Sequence, residues 1–324
     1  MRRILVTGAA GYIGSVLVRQ LLERGYYVKG FDVLLFGGES LIGIYNHPNF
    51  EFIKGDVRDE QTVKKALTDV TDVVHLAAIV GDPACAKQPE LAEVINWRAT
   101  KFLYDFCNDD TNVKHFVFAS TCSIYGKMEG NGYVNEESPL NPVSLYARLK
   151  VKFEKYLLES EIRKDFIPTA LRFSTVYGLS PRMRFDLTVN EFIRDVTLGK
   201  ELIIFGEQFW RPYCHVEDLV RSCILVLESP KEKVKQDVYG VGATNENYQK
   251  KMIAEEIMKI VPEAKIKYVQ KDEDPRDYRV DFSKIKSELG FEITKTVPQG
   301  LKEIHCVLKD GIISDPYSSK YRNI

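Results

Sequence analysis

Two residues that can move a proton stand four positions apart in the segment SLYARLK, namely Tyr146 and Lys150. Side chains at positions i and i+4 of a helix project from one face, so the phenol and the ammonium are predicted to be neighbours. A nearby positive charge favours the phenolate and lowers the pKa of a tyrosine. Such a tyrosine can act as a general base that takes the proton of a hydroxyl group.

A second motif, TGAAGYIG, follows a predicted strand and opens a helix, with Gly8, Gly11 and Gly14 spaced three apart. Small residues let the backbone turn tightly and approach a pyrophosphate, whose charge the helix amino terminus stabilises. Asp32 ends the next strand, where a carboxylate can accept hydrogen bonds from ribose hydroxyls and would repel a 2'-phosphate. These features predict a dinucleotide site that prefers NAD over NADP. Together with the tyrosine, they predict removal of a hydride and a proton from a sugar carbinol.

The elements that position these residues follow a regular order. Strand-like segments such as RRILVTG and KHFVFAS alternate with amphipathic helices, which predicts an α/β fold with a doubly wound, Rossmann-type parallel sheet. From about residue 176 the pattern becomes irregular, so we expect a smaller mixed α/β region at the carboxyl edge of the sheet. We assign residues 1–175, with a return segment near 210–241, to the dinucleotide-binding domain, and residues 176–209 and 242–324 to the second domain. The polar tail SDPYSSKYRNI is expected to be loosely held.

Composition excludes several classes of function. The chain has 45 basic and 46 acidic side chains among 324 residues and a net charge of -1, so no global field attracts nucleic acid or a membrane. The six cysteines form no C-x-x-C pair, and we expect free thiols in a reducing compartment. No signal peptide or membrane-spanning stretch is recognised, which predicts a cytoplasmic protein. The five histidines form no metal-binding motif, so no metal is expected.

Several motifs occur together in a recognisable order: TGAAGYIG, GDVRD, HLAA, STCSIYG, YARLK, LRFSTVYG and RPYCHVED. In these, over nearly its whole length, the chain resembles the extended short-chain dehydrogenase/reductases, and among them the NAD-dependent epimerase/dehydratase family acting on nucleotide sugars, with a likeness to UDP-glucose 4-epimerases. The resemblance implies NAD as cofactor and a nucleoside diphosphate sugar as substrate. It also implies a homodimer, in which the helices LAEVINWRATKFLYDFC and SLYARLKVKFEKYLLE pair into a four-helix bundle.

The resemblance also assigns roles to individual positions. Thr121 matches the family's catalytic serine or threonine, Tyr146 its base, and Lys150 the residue that binds the nicotinamide ribose. The cofactor side would comprise Gly8, Gly11, Tyr12, Ile13, Gly14, Asp32, Asp56, Val57, Leu76, Ala77, Ala78, Asn96, Tyr146, Lys150 and Phe173. The substrate side would comprise Thr121, Ser123, Tyr146, Thr175, Asn190, Arg211 and Lys271, with Arg279 close to the last of these. We add Arg182 and Arg184 from their chemistry, because planar guanidinium groups suit phosphate oxygens.

The two residues that follow Thr121 depart from one branch of the family. Its dehydratases carry an Asp-Glu pair there, because removal of water needs an acid and a base; this chain has Cys122 and Ser123, so dehydration is not expected. Cys122 is predicted to be a small buried side chain behind the sheet. Ser123 either contacts a substrate hydroxyl or satisfies the local backbone, and the sequence does not decide between the two.

The motifs together predict an NAD-dependent nucleotide-sugar epimerase that oxidises the sugar, at C4, through a 4-keto intermediate. The same residues would serve a net 4-dehydrogenase or 4-ketoreductase, which is the alternative interpretation. A non-catalytic NAD-sensing protein is disfavoured, because such relatives tend to lose the tyrosine and the lysine.

Overall fold

The structure is a computed structural model that describes residues 2–109, 112–128, 130, 132–271, 274 and 276–323. The strands are β1 Arg3–Thr7, β2 Tyr27–Asp32, β3 Phe50–Lys54, β4 Asp72–His75, β5 His115–Thr121, β6 Ile167–Phe173, β7 Thr175–Tyr177, β8 Leu202–Phe205, β9 Trp210–His215, β10 Asp237–Val241, β11 Asn247–Gln249 and β12 Ile266–Val269. The helices are α1 Gly14–Glu23, α2 Glu60–Ala66, α3 Asp82–Lys87, α4 Pro89–Glu93, α5 Thr100–Asp109, α6 Leu145–Glu159, α7 Thr188–Thr197, α8 Val216–Glu228, α9 Lys231–Val234, α10 Lys250–Ile260, α11 Ser283–Leu289 and α12 Val297–Lys309.

Seven parallel strands form the large sheet, in the order β10-β6-β5-β4-β1-β2-β3. The strand order reverses between β1 and β4, and ligands of open α/β sheets bind at such a switch point, beyond the carboxyl ends of the strands. Helices cover the sheet, and buried apolar side chains line both of its faces. The predicted doubly wound α/β class is therefore confirmed.

Two small sheets lie beyond the large one, as the irregular second half of the sequence predicted. One has the order β11-β9-β7, and the other pairs β12 with β8 in parallel. The return segment contributes β10 to the large sheet, whereas its first strand, β9, belongs to a small sheet. The division into two domains at the predicted boundaries stays a prediction.

Helix α6 is positioned by its cap and by a buried polar network. Ser144 precedes it, and its hydroxyl accepts a hydrogen bond from the Ala147 amide at 3.1 Å, which fixes where the helix begins. Two turns further on, Glu154 is 1% exposed and forms an ion pair of 2.6 Å with Arg172 of β6. The Ser120 hydroxyl donates to the same carboxylate at 2.6 Å. The network therefore locks α6 onto the ends of β5 and β6.

The carboxyl-terminal segment is held more firmly than its polar composition predicted. The Phe185 amide donates to the Tyr321 carbonyl at 2.9 Å, and the Asn323 amide donates to the Asp186 carboxylate at 3.1 Å. The ring of Tyr321 also packs edge-on against Phe185, with centroids 5.6 Å apart. The expectation of a loose tail was wrong, because backbone groups in the tail find partners that the sequence pattern does not reveal.

Neither a membrane span nor a metal cluster is found in the part of the chain that the structure describes. No helix there is long and apolar enough to cross a bilayer. Likewise, no group of three or more histidine, cysteine, aspartate or glutamate side chains in the described ranges is placed to hold a metal ion.

Removal of the Glu154 carboxylate should be strongly destabilising. We expect Glu154→Ala to lower the free energy of unfolding by about 3–5 kcal/mol, because it leaves the buried Arg172 without its counter-charge. Urea denaturation followed by circular dichroism measures this. Glu228→Gln, at an ion pair with Arg24 whose side chains are 46% and 38% exposed, is the matched control and should cost under about 1 kcal/mol. Equal losses in the two variants would contradict this account of the network.

Candidate active site

The glycine turn between β1 and α1 has no room for side chains. Gly8 has a φ of +73°, and a Cβ atom there would lie 3.0 Å from the Ala77 amide nitrogen. A Cβ atom on Gly14 would lie 2.0 Å from the Gly8 carbonyl oxygen, and one on Gly11 would lie 3.1 Å from it. The turn thus presents bare backbone at the amino end of α1, which is the surface that a pyrophosphate needs. These residues fit a dinucleotide.

Asp32 stands at the carboxyl end of β2 with both carboxylate oxygens anchored. One oxygen accepts from the Ala10 amide at 2.9 Å and the other from the Leu34 amide at 2.8 Å. Each oxygen keeps further acceptor capacity, so the carboxylate can also receive ribose hydroxyls. Burial raises the pKa of Asp32, and the nearby Arg182 guanidinium opposes this shift.

A chain of hydrogen bonds that the sequence reasoning missed orients the HLAA segment. The Thr100 hydroxyl donates to the Ile95 carbonyl at 3.0 Å, so it accepts from His75 Nε2, also at 3.0 Å. The other ring nitrogen of His75 then accepts the Thr7 hydroxyl at 2.7 Å, and that oxygen receives the Leu76 and Ala77 amides at 3.2 Å. Burial lowers the pKa of His75 to about 3, which keeps the ring neutral.

Asn96 lies in a π-helical turn, Val94–Ala99, a rare feature that is frequent at functional sites. It is 2% exposed, its Oδ1 accepts from the Ile79 amide at 2.8 Å, and its Nδ2 donates to the Ile79 carbonyl at 2.9 Å. Asn96 therefore supports the loop after β4 rather than offering its amide to a cofactor.

The three predicted catalytic residues lie at one place, where β5 ends beside α6. Lys150 is 4% exposed, its ammonium donates to the Ala119 carbonyl at 2.5 Å, and it lies 5.8 Å from the centre of the Tyr146 ring. The Thr121 hydroxyl, on the last residue of β5, accepts from the Ser123 amide at 3.2 Å. Proton-moving groups and the end of the glycine turn thus share the carboxyl edge of the sheet.

The pKa of Tyr146 is raised, whereas the sequence predicts that it is lowered. In the protein alone, burial raises the pKa of Tyr146, the charges of Cys85 and Asp82 add to the rise, and Arg184 opposes it. Burial also lowers the pKa of Lys150 to about 8. The neighbouring lysine alone therefore does not produce the fall in the pKa of Tyr146 that the sequence predicts.

The residues after Thr121 face different environments. Cys122 is 1% exposed and its thiol donates to the Arg172 carbonyl at 3.2 Å, as expected for a buried side chain behind the sheet. The Tyr278 ring lies beside the turn that contains Ser123, with its centroid 6.1 Å from that of Tyr125, and burial raises the pKa of its phenol to about 12. Sequence reasoning missed Tyr278, because nothing in the segment around it signals that it packs against the turn after β5.

Arg182, a predicted substrate residue, lies elsewhere than expected. Arg182 is 7% exposed, its guanidinium lies 4.4 Å from the Phe36 ring centre, and Nη2 donates to the Arg322 carbonyl at 3.0 Å. It lines a cavity of about 190 Å³ beside the loop that follows Asp32. This location favours the adenosine side of a dinucleotide over the sugar side.

Asn190 is fully buried, and its amide is already used within the protein. Its Oδ1 accepts from the Gly178 amide at 3.0 Å, and its Nδ2 donates to the Arg184 carbonyl at 2.8 Å and to the Tyr12 hydroxyl at 3.2 Å. The arrangement favours a positioning role over the predicted contact with a diphosphate.

Three of the other predicted cations lie near β9 and the segment that follows β12, whereas Arg184 lies between β7 and α7. Arg211 makes an ion pair of 2.9 Å with Asp274, and the two side chains are 12% and 9% exposed. Arg184 is paired bidentately with Asp186, at 2.9 and 2.7 Å. Arg279 stacks between the rings of Tyr133 and Trp210, with centroid distances of 4.7 and 5.0 Å, and Lys271 is exposed.

The remaining predicted contacts follow the sheet edge. Asp56, beyond β3, is held by Arg58 through two hydrogen bonds of 3.0 Å and one of 2.6 Å, which together lower its pKa. The others lie in the glycine turn, after β3 and β4, or where β6 gives way to β7: Ile13, Val57, Ala78, Phe173 and Thr175.

Comparison with known proteins agrees with this geometry. A Rossmann-type sheet with a glycine turn and a tyrosine and lysine at its carboxyl edge defines a dinucleotide-dependent enzyme class. The model of the NAD dependent epimerase/dehydratase family matches residues 4–242. The chain belongs to that family, which confirms both the resemblance and NAD as the predicted cofactor.

Individual relatives differ in their reactions. The chain is 30% identical to a UDP-glucose 4-epimerase of Lactobacillus helveticus, over 90% of this chain and 92% of that protein. It is also 30% identical to a dTDP-glucose 4,6-dehydratase of Streptomyces griseus, over 92% and 91%. A UDP-glucuronic acid 4-epimerase of Bacillus cereus, solved with UDP-glucuronic acid and NAD, superimposes with a TM-score of 0.84 at 28% identity, covering 95% of this chain and 99% of that one.

The close approach at the glycine turn predicts a selective loss of cofactor binding. NAD at about 100 times its Kd should stabilise the native protein by ~2.7 kcal/mol. We expect Gly14→Ala to abolish this gain, since the new methyl group displaces the Gly8 carbonyl. The measurement is the thermal transition with and without NAD. Gly43→Ala is the control, because its Cβ atom would meet only the Arg19 guanidinium, at 3.7 Å. An undiminished NAD response of Gly14→Ala would contradict the placement of the pyrophosphate.

Proposed function

We propose that the protein is an NAD-dependent nucleotide-sugar epimerase that oxidises a sugar hydroxyl, at C4, and returns the hydride to the opposite face of the 4-keto intermediate. The observation that carries the proposal is the meeting of Thr121, Tyr146 and Lys150 at the end of β5, on the same edge of the sheet as the glycine turn. NAD, when bound, supplies the site that accepts and returns the hydride.

Residues of the chain would accept and return the proton of the sugar hydroxyl. The Tyr146 phenolate takes the hydroxyl proton as the sugar is oxidised, and the Thr121 hydroxyl hydrogen-bonds the reacting oxygen. Lys150 binds the nicotinamide ribose and favours the phenolate through its charge. Because burial opposes the phenolate in the protein alone, the cofactor's positive ring is needed to complete the base. Tyr146 therefore becomes an effective base only in the protein that has the oxidised cofactor bound.

Epimerisation is favoured over dehydration by the residues that follow Thr121. Dehydration requires an acid and a base at that place, but the thiol of Cys122 is buried with a raised pKa and Ser123 carries a hydroxyl instead of a carboxylate. The likeness to a dTDP-glucose 4,6-dehydratase therefore supports the shared oxidation step and not the loss of water.

We assign the substrate diphosphate to Arg211, with Arg184, Lys271 and Arg279 as further predicted contacts. The Arg211 guanidinium is neutralised by Asp274, so a diphosphate would have to share it or displace the aspartate. We reassign Arg182 to the cofactor's adenosine side, because its charge lies beside Asp32.

A homodimer through a four-helix bundle stays a prediction from the resemblance, as does the cytoplasm as its location. Arg148, Lys152 and Lys155 are exposed on α6, so an interface built on that face of the helix would be polar.

Identification of the nucleotide in denatured protein, followed by assays with UDP-, GDP- and dTDP-sugars, tests the proposal. Interconversion of two sugars without added cofactor supports an epimerase. Accumulation of a keto-sugar with reduced cofactor would instead support the net dehydrogenase.

Tyr146→Phe should lower kcat by about 10²–10⁴-fold, since it removes the group that accepts the proton. NAD binding, measured by calorimetry, should be retained because the ring remains. Tyr45→Phe is the control, at a side chain that is 61% exposed, and it should leave turnover unchanged. Full activity of Tyr146→Phe would refute the assigned mechanism.

A further inference from the structure

The loop after β4 and helix α3, residues 79–88, form what we call the α3 segment. One side of it packs on the catalytic helix, because Cys85 is fully buried in a cluster with Leu149 and Tyr146. Gly81, with φ at +93°, stands directly before α3, and a Cβ atom there would meet only Pro83, at 3.9 Å. The segment therefore has a glycine of unrestricted backbone conformation near one end, and it lies over the predicted reaction centre.

A second structure faces the α3 segment, formed by residues 276–281, and we call it the wall segment. It is held on two sides. The Asp277 carboxylate accepts from the Trp210 amide of β9 at 2.8 Å, while the Asp277 carbonyl accepts from the Met128 amide at 2.9 Å. The Arg279 carbonyl accepts from the Val134 amide at 2.9 Å. The wall segment is thus fixed to β9 and to the chain between β5 and α6, independently of the α3 segment.

One ion pair joins the two segments: Arg276 Nη1 lies 2.9 Å from Asp82 Oδ2. Arg276 is itself oriented, since its amide donates to the Asp274 carboxylate at 2.9 Å and Asp274 in turn pairs with Arg211. The side chains of Arg276 and Asp82 are 39% and 26% exposed. A partly exposed pair shifts an equilibrium by at most about fivefold, which suits a contact that must open and close.

The Asp82–Arg276 ion pair joins segments that lie on two sides of the predicted reaction centre. On one side, the charge of Asp82 acts on the Tyr146 phenol. On the other side, Tyr278 of the wall segment is buried, and its ring lies 6.1 Å from that of Tyr125 in the turn that follows Thr121. The contact therefore joins two segments that border the place where the sugar would react.

We propose that the Asp82–Arg276 pair closes the α3 segment over the reaction centre and retains the keto-sugar between its two hydride transfers. This rests on the proposed function. In a complete cycle the sugar loses a hydride and a proton and regains both. If the keto-sugar escapes midway, the two electrons stay with the bound nicotinamide and the proton with Tyr146, so the pair sets the balance between epimerisation and net oxidation.

The test compares Arg276→Gln with Arg276→Lys, which keeps the charge. In Arg276→Gln, we expect the number of sugar interconversions per released keto-sugar to fall about fivefold. This is the largest change that loss of a partly exposed ion pair allows. The released sugar is trapped by carbonyl derivatisation, and the reduced nicotinamide left behind is read by its absorbance. Arg276→Lys should stay close to the wild type.

A second readout needs neither turnover nor cofactor. Amide hydrogen exchange of residues 80–88 in the unliganded protein should be faster in Arg276→Gln than in the wild type, by up to about fivefold. Arg24→Gln, at an exposed pair with Glu228 far along the chain, is the matched control and should change neither readout.

Unchanged exchange in Arg276→Gln would overturn the closing role, and faster exchange with an unaltered keto-sugar yield would overturn the retention role. If the wild type interconverts no sugar at all, the proposed function fails, whereas the exchange experiment still tests the contact between the segments.

Discussion

The placement of the predicted catalytic residues depends on one constraint, the register of α6 against the end of β5. Lys150 and Glu154 stand four and eight residues after Tyr146, and both hold β5: the ammonium through the Ala119 carbonyl and the carboxylate through the Ser120 hydroxyl. A helix turns by about 100° per residue, so a slip of one residue would carry all three side chains away from the strand. The buried charge of Arg172 makes such a slip costly, because Glu154 would leave it unpaired.

Much of the site could be predicted because its residues lie near the carboxyl ends of parallel strands. The alternation of strands and helices is a local pattern, and parallel strands bring their carboxyl ends to one edge whatever lies between them. The glycine spacing, Asp32, Thr121 and the Tyr146–Lys150 pair each sit at or just after such an edge. Their meeting therefore follows from the order of the elements.

Contacts between distant segments could not be predicted in the same way. Arg182, Arg184 and Asn190 stand close together in the sequence, and their side chains suit phosphate equally well. Arg182 nevertheless lines a cavity near Asp32, Arg184 pairs with Asp186, and Asn190 contacts Tyr12 of the glycine turn. Only the path of the chain between β7 and α7 separates their environments. The ion pair of Arg211 with Asp274 and the packing of Tyr278 against Tyr125 depend on long-range packing in the same manner.

The path between β7 and α7 also joins the two halves of the site. The Tyr12 hydroxyl, in the glycine turn, donates to the Gly178 carbonyl at 2.6 Å, and the Ser180 hydroxyl donates to the Tyr12 carbonyl at 2.7 Å. Asn190 ties the same tyrosine to α7. All three contacts are buried or partly buried, so breaking them would leave polar groups unsatisfied. The path between β7 and α7 is therefore attached to the glycine turn through Tyr12.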